Sequence, residues 1–263
     1  MRISIAVLVG LLLVTLGWQP AVLAAIDPAT LVGAWLMEDS GDEFIPDASG
    51  NDHVGELIGQ VVFVDGQVGQ AMELDGGGQV LVIPEFGMFS PTTEVTITLW
   101  TKLKGIKEQD ILSFDPLLGG NRTTVHFPWG ASGIIWQHGT DQHWCATQLP
   151  AETFDNWEFW TFVGSTKGNY LRILRNMEQM AKREDEPTAK PAFAQSAQNW
   201  NIGGRAGSSY DGAIDEVAVF NVALSDEDIG RIMDLGVEAA VLGKPVEPAG
   251  KLASVWGSMK TSN

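Results

Sequence analysis

The chain has 263 residues, a net charge of −17, 44% hydrophobic residues, ten Trp and one Cys. A lone cysteine, Cys145, excludes an intramolecular disulfide, so stability has to come from packing or from a metal. Strong acidity without a basic cluster argues against nucleic acid as a partner and suits solubility outside the cell and cation binding.

The first element is a leader. Met1-Arg2 is followed by an uncharged run from Ile3 to Leu16, then Pro20 and the small-residue stretch Val22-Leu-Ala-Ala-Ile. This pattern predicts a secretory signal peptide, residues 1–24, cleaved after Ala24. The run is short for a membrane span, and no later stretch reaches the necessary length. No Cys follows it that could carry a lipid anchor. Export to the periplasm, the cell surface or the medium is expected. The roughly 240 residues that remain suit one large β domain, 25–236, with a linker and tail over 237–263.

Short strands broken by Gly, Asp, Asn and Pro follow. They are predicted over 31–37, 61–64, 71–74, 79–83 and 95–103, the first pair of hairpin arms flanking the turn Asp65-Gly66. In 95–103, Val95, Ile97, Leu99 and Thr101 share one face, and Thr96, Thr98 and Trp100 share the other. Further strands are predicted over 123–127, 133–137, 158–165, 170–175, 200–203 and 213–220. Residues 171–183 are rich in helix formers, yet a hairpin turning at Asn176-Met177-Glu178 is the preferred reading, because tertiary pairing overrides propensity. A helix is predicted from the N-cap Ser225 to the stop at Gly236. Gly243-Lys-Pro-Val-Glu-Pro-Ala-Gly250 has linker composition, and the tail beyond it carries Trp256. Regular short strands of this kind predict an all-β sandwich or jelly roll of two antiparallel sheets with one short C-terminal helix.

Two segments narrow this further. One reads Leu31-Val-Gly-Ala-Trp-Leu-Met-Glu-Asp-Ser-Gly and continues to Ile45-Pro-Asp-Ala-Ser-Gly-Asn-Asp-His; the other runs Tyr210-Asp-Gly-Ala-Ile-Asp-Glu-Val-Ala-Val-Phe. Together they resemble the first and last strands of the LamG-like, concanavalin A-like jelly-roll domain. The stretch Trp157-x-x-Trp160-x-Phe162-Val163 and Ile202-Gly203-Gly204 extend the resemblance, which covers roughly residues 29–235. It implies that the two chain ends pair in one sheet. It also implies a structural Ca²⁺ ion joining the N-terminal Asp-x-Ser-Gly-Asn loop to the final strand, here Asp47, Ser49 and Asn51 beside Asp215, with Glu38 as a further ligand. Carboxylates, amides and carbonyls are the oxygens calcium takes. The competing reading makes Asp47-Ala-Ser-Gly a hydrogen-bonded turn and Asp215 a strand cap.

Other chemistry is less specific. His126, His138 and His143 lie with Asp141 and Cys145 in one stretch, but their spacing matches no zinc pattern and reads as a polar rim. Glycosidases on this fold place their acids on one strand as Glu-x-Asp-x-x-Glu, and no such stretch occurs. Asp215 and Glu216, being adjacent, are expected on opposite strand faces. No nucleophile elbow or P-loop is found, so no enzyme is expected. Aromatic rings remain. Trp35, Trp100 and Trp160 sit mid-strand and read as core. Trp129 and Trp144 stand beside Pro, Gly, His and Gln, where exposed rings stack on sugars while neighbouring polar groups fix the hydroxyls. His143, Asp141, Arg122 and Arg205 complete this candidate carbohydrate site.

The expectation is therefore an exported, non-catalytic module that recognises a glycan or glycoprotein, with calcium as a structural ion. A protein-binding adhesive surface is the alternative, and a polysaccharide hydrolase or lyase is third. Fold alone does not choose among them.

Overall fold

The structure is a computed structural model that describes residues 26–86, 94–115, 122–139, 144–165, 167–184, 199–205 and 207–243. The expected signal peptide and residues 244–263 of the expected tail lie outside these. Two eight-stranded antiparallel sheets carry the fold. The first runs in the order Glu178–Arg183, Tyr170–Arg175, Trp157–Ser165, Glu94–Leu103, Asp211–Phe220, Gln70–Asp75 and Val62–Asp65. Leu31–Trp35 joins it by pairing with the second half of Asp211–Phe220, from Val217 to Phe220. The chain ends are thus neighbours, as the resemblance implies. The second sheet runs Trp144–Thr147, Ile134–Gly139, Arg122–His126, Asp110–Asp115, Asn199–Ile202, Val80–Ile83, Gly55–Ile58 and Phe44–Ile45.

Alternation along the strands decides what lies between the sheets. Val95, Ile97 and Leu99 from the first sheet meet Val125, Trp136, Leu112 and Ile202 from the second in one core, with Trp35, Trp160 and Trp200 buried at its centre. Trp35 and Trp160 are core as expected. Trp100 is only partly covered, because it faces outward against a second apolar cluster. That cluster seals the other side of the first sheet. Phe159, Val163, Ala218 and Phe220 there receive Ile229 and Ile232 of the helix Asp226–Leu235. The helix starts where Ser225 Oγ accepts the Asp228 N–H at 3.1 Å. Packing continues past Gly236, since Val237, Ala240 and Val241 are buried in the same cluster, so the packed unit outruns the boundary expected at 236.

Residues 171–183 are strands. Tyr170–Arg175 and Glu178–Arg183 pair, and the turn uses left-handed φ at Asn176 (47°) and Met177 (71°), with the Asn176 side chain accepting the Phe159 N–H. In the last strand a bulge interrupts alternation between Asp215 and Ala218, with Glu216 at φ 53°. Four strands of these two sheets escape the sequence pattern, Phe44–Ile45, Gly55–Ile58, Asp110–Asp115 and Trp144–Thr147, as does the small pair Gly204–Arg205 and Ser208–Ser209. Asp110–Asp115 is hidden by its own bulge, which turns both Ile111 and Leu112 inward and spoils the period of two.

Candidate functional site

The outer face of the second sheet is built differently from its core face. Gln137 stands opposite Trp144 on one side and Thr124 on the other. Leu112 is opposite Val125, so the next residues in line are Ser113 and Thr124, and Ser113 pairs onward with Asn201. A straight row of polar side chains therefore crosses the sheet from Trp144 to Asn201. Thr124, Ser113 and Asn201 are buried, yet Thr124 Oγ1, Ser113 Oγ and Asn201 Oδ1 have no hydrogen-bond partner. Leaving such an atom unsatisfied costs about 1–3 kcal/mol, and the outer face of the first sheet carries the same kind of atom at the paired Thr98 and Thr161.

A second line of polar groups runs beside this row. His126 Nδ1 contacts Asp110 Oδ1, and His126 Nε2 lies 3.2 Å from Gln137 Oε1. The other oxygen of Asp110 forms an ion pair with Arg205 Nε at 2.8 Å. The Trp129 ring packs on His126 with centroids 4.4 Å apart. At the far end Trp144 is 44% exposed, and the Arg183 guanidinium lies over its ring at 5.7 Å. Trp129 and Trp144 thus flank one continuous chain of polar contacts, Arg205–Asp110–His126–Gln137. Beyond Arg205, a cavity of about 280 Å³ opens between Gly76–Gly78, Lys107, Glu108, Gly207 and Ser209.

The structure brings together three of the expected sugar-site residues, Trp129, Trp144 and Arg205. Arg122 occupies the start of a strand of the same sheet, opposite Gly139. Its side chain, like all of Asp141 and His143, lies outside the described residues. Asp110, Ser113, Thr124, Gln137 and Asn201 were not legible as site residues, and His126 reads from sequence as rim. Their one signal is polar residues alternating with apolar ones inside buried strands. Of the described histidines of that stretch, His126 and His138 do not converge. His126 faces outward, whereas His138 is buried on the core side, its Nδ1 3.1 Å from Thr123 Oγ1 and its ring stacked on Trp136. His138 is therefore core, not rim.

The residues expected to hold calcium form two groups. Asp47 Oδ1 accepts the Ala34 and Ser49 N–H groups at 2.9 Å, and Oδ2 accepts that of His53 at 3.1 Å. Asn51 donates to the Leu31 and Val32 carbonyls at 3.0 Å. Backbone donors engage both Asp47 oxygens, so this loop is a hydrogen-bonded brace on the first strand. The second group gathers on the turn after Val62–Asp65. Asp215 Oδ2 accepts the Gln67 and Val68 N–H groups at 2.8 and 3.0 Å, and Glu38 Oε1 accepts that of Gln70 at 3.0 Å. Gly69 takes φ 64° here, the left-handed region that favours glycine. Asp215 Oδ1 is buried without a partner. Burial pushes the Asp215 carboxyl up to about 8, and the charges of Glu216 and Glu38 add to the rise. Burial likewise raises Glu216 to about 7, although its Oε2 accepts the Val237 N–H at 2.5 Å. The two carboxylates find different partners, the Gln67–Val68 turn for Asp215 and Val237 for Glu216, and the charge of Glu38 helps to raise both. An orphaned carboxylate oxygen among like charges fits a cation, with Asp215 and Glu38 as its carboxylates. Among the described residues no three His, Cys, Asp or Glu side chains converge as a metal centre.

A profile of the concanavalin A-like lectin/glucanase superfamily matches residues 75–230, more than half of the chain. The chain belongs to that superfamily. No curated protein matches it in sequence. Its solved structural neighbours include domain 4 of AbnA, a GH43 extracellular arabinanase from Geobacillus stearothermophilus, in complex with arabinotriose. That match has 17% identity and a TM-score of 0.59 over 76% of this chain and 97% of the other. The binding domain of botulinum neurotoxin DC, in complex with rat synaptotagmin II, gives 11% identity and a TM-score of 0.60 over 79% of this chain. The binding domain of Paraclostridial Mosquitocidal Protein 1 gives 14% and 0.56 over 77%. This chain spans about half of each toxin structure, 52% and 51%. At such identities the likeness is one of fold.

Proposed function

We propose that this is an exported, non-catalytic binding domain that holds a glycan across the outer face of its second sheet. The observation carrying this reading is the pair of accessible tryptophans, Trp144 and Trp129, flanking the polar chain Arg205–Asp110–His126–Gln137. A pyranose or furanose face would stack on Trp144 or Trp129, with Gln137 and the Arg183 guanidinium beside Trp144 to meet its hydroxyls. Asp110 is already engaged by His126 and Arg205, which favours a positioning role over acid catalysis. A calcium ion held by Asp215 and Glu38 would tie the last strand to the first sheet's edge turn and neutralise the acids there. The test is a glycan-array screen of residues 25–263 with calcium and with chelator. Reproducible binding to one glycan class supports the reading, and loss of binding in chelator adds the ion. A blank array from folded protein overturns it.

A specific feature favours a second reading, a protein partner. Past Asn201 the same face turns apolar: Phe44 and Ile58 are 48% and 49% exposed, and Val54 is 43% exposed. Pull-down that survives Trp144→Ala and fails on Phe44→Asp would favour this reading over the first.

A further inference from the structure

We propose that the proton on His126 sets which end of the Gln137 amide faces the ligand row, so that binding on this face responds to pH. The inference rests on the glycan reading for its ligand, and on hydrogen-bond accounting alone for the switch. His126 Nδ1 meets Asp110 Oδ1, a carboxylate oxygen ion-paired through its partner oxygen to Arg205. An ionised carboxylate only accepts, so Nδ1 carries a hydrogen in either charge state of the ring. Nε2, 3.2 Å from the Gln137 amide, is the nitrogen that changes. With a second proton it donates to Gln137 Oε1, and the amide NH₂ points away from the ring. Without that proton Nε2 can only accept. An acceptor facing an acceptor in a buried pair is unfavourable, and reversing the nearly isosteric amide about its last torsion relieves it. The amide then donates to His126 and presents its oxygen to the row.

Gln137 sits opposite both Thr124 and Trp144, inside the proposed site. A ligand there meets a donor when His126 is charged and an acceptor when it is neutral. Other groups facing the ring are few among the described residues. Asp110 and Gln137 come from the flanking strands, Arg205 acts through Asp110, and Trp129 covers the ring. The loop before Asp110 adds Glu108, whose carboxylate lies beside Gly130, and Lys107, which donates to the Gly76 carbonyl at 2.8 Å.

The test uses the whole mature chain, whose four histidines keep ring spectra tractable. Ring nitrogens and the Gln137 side-chain amide are followed by NMR from about pH 8 to about pH 5, the range in which histidines ordinarily change charge. Expected are a Nδ1 that stays protonated throughout, a Nε2 that gains its proton, and Gln137 NH₂ signals moving with the same midpoint. His126→Phe should remove the Gln137 movement. A neutral His126 protonated on Nε2, or a Gln137 amide indifferent to the transition, overturns the switch. A glycan array run at both ends of the range should show signals differing by about tenfold, the effect of reversing one hydrogen bond. Equal signals break the link to binding. A blank array with a moving amide places the failure in the glycan reading alone.

Discussion

The two sheets turn the same strand alternation to opposite ends on their outer faces. On the first sheet, Phe159, Val163, Ala218 and Phe220 point outward and are sealed by Ile229 and Ile232 of the helix. On the second, the equivalent outward positions carry Gln137, Thr124, Ser113, Asn201, His126 and Asp110. One face gains stability by burying apolar surface. The other lays down a connected polar chain, Arg205–Asp110–His126–Gln137, where the first has apolar side chains. The contrast teaches that one strand alternation can leave an outer face apolar and sealed by a helix, or polar with the exposed Trp144 at its edge.

Substitutions on each face should separate the two roles. The largest effect belongs to the first: Phe220→Ala should cost about 3–5 kcal/mol, roughly 10 °C in Tm, with glycan affinity unchanged in the folded fraction. Comparable instability from an outward residue of the second sheet would break the contrast.

The next effect tests how the last strand is tied down. Asp215 and Glu216 hold their protons more tightly folded than unfolded, so the folded state binds more protons above about pH 4. Their contribution is fully present below that point and is lost as pH rises through about 7 for Glu216 and about 8 for Asp215. Thermal melts should fall by several degrees across this window. Calcium should restore the loss at high pH by favouring the ionised carboxylates, and Asp215→Asn should flatten both responses. A melt that rises with pH in chelator would contradict the assignment.

Smaller changes sharpen the second face. Trp144→Ala should weaken glycan binding by about 2 kcal/mol, roughly thirtyfold. Stability should drop by no more than about 1 kcal/mol, since the ring is half-exposed and loses only its stack with Arg183. Smallest and most diagnostic is Ser113→Ala. It removes a buried hydroxyl without a partner, so urea melts should show stability unchanged or raised by about 1 kcal/mol, with glycan affinity unchanged. A stability loss would mean that Ser113 braces the fold.

Much of the fold was legible in the chain because one face of nearly every strand is apolar. The hairpin around Asn176-Met177 shows the limit of propensity: good helix formers became strands because Trp157–Ser165 offered an edge to pair with. Strands were missed where alternation failed, at the bulge of Asp110–Asp115 and in the short edge pieces Phe44–Ile45 and Trp144–Thr147. The same bulge hid the site, since Asp110 joins His126 and Arg205 only through pairing between strands distant in sequence. Trp129, Trp144 and Arg205 could be picked out because aromatic or cationic residues beside Gly and Pro stand out locally. Ser113, Thr124 and Asn201 could not, for their meaning lies in register across the sheet.

The most direct test is NMR mapping of backbone amides as the glycan class chosen by the array is titrated into the mature chain. Shifts centred on Trp144, Gln137 and Trp129 are predicted. Shifts confined to Phe44, Val54 and Ile58, or to the turn that holds Asp215, would contradict a glycan site on the outer face of the second sheet.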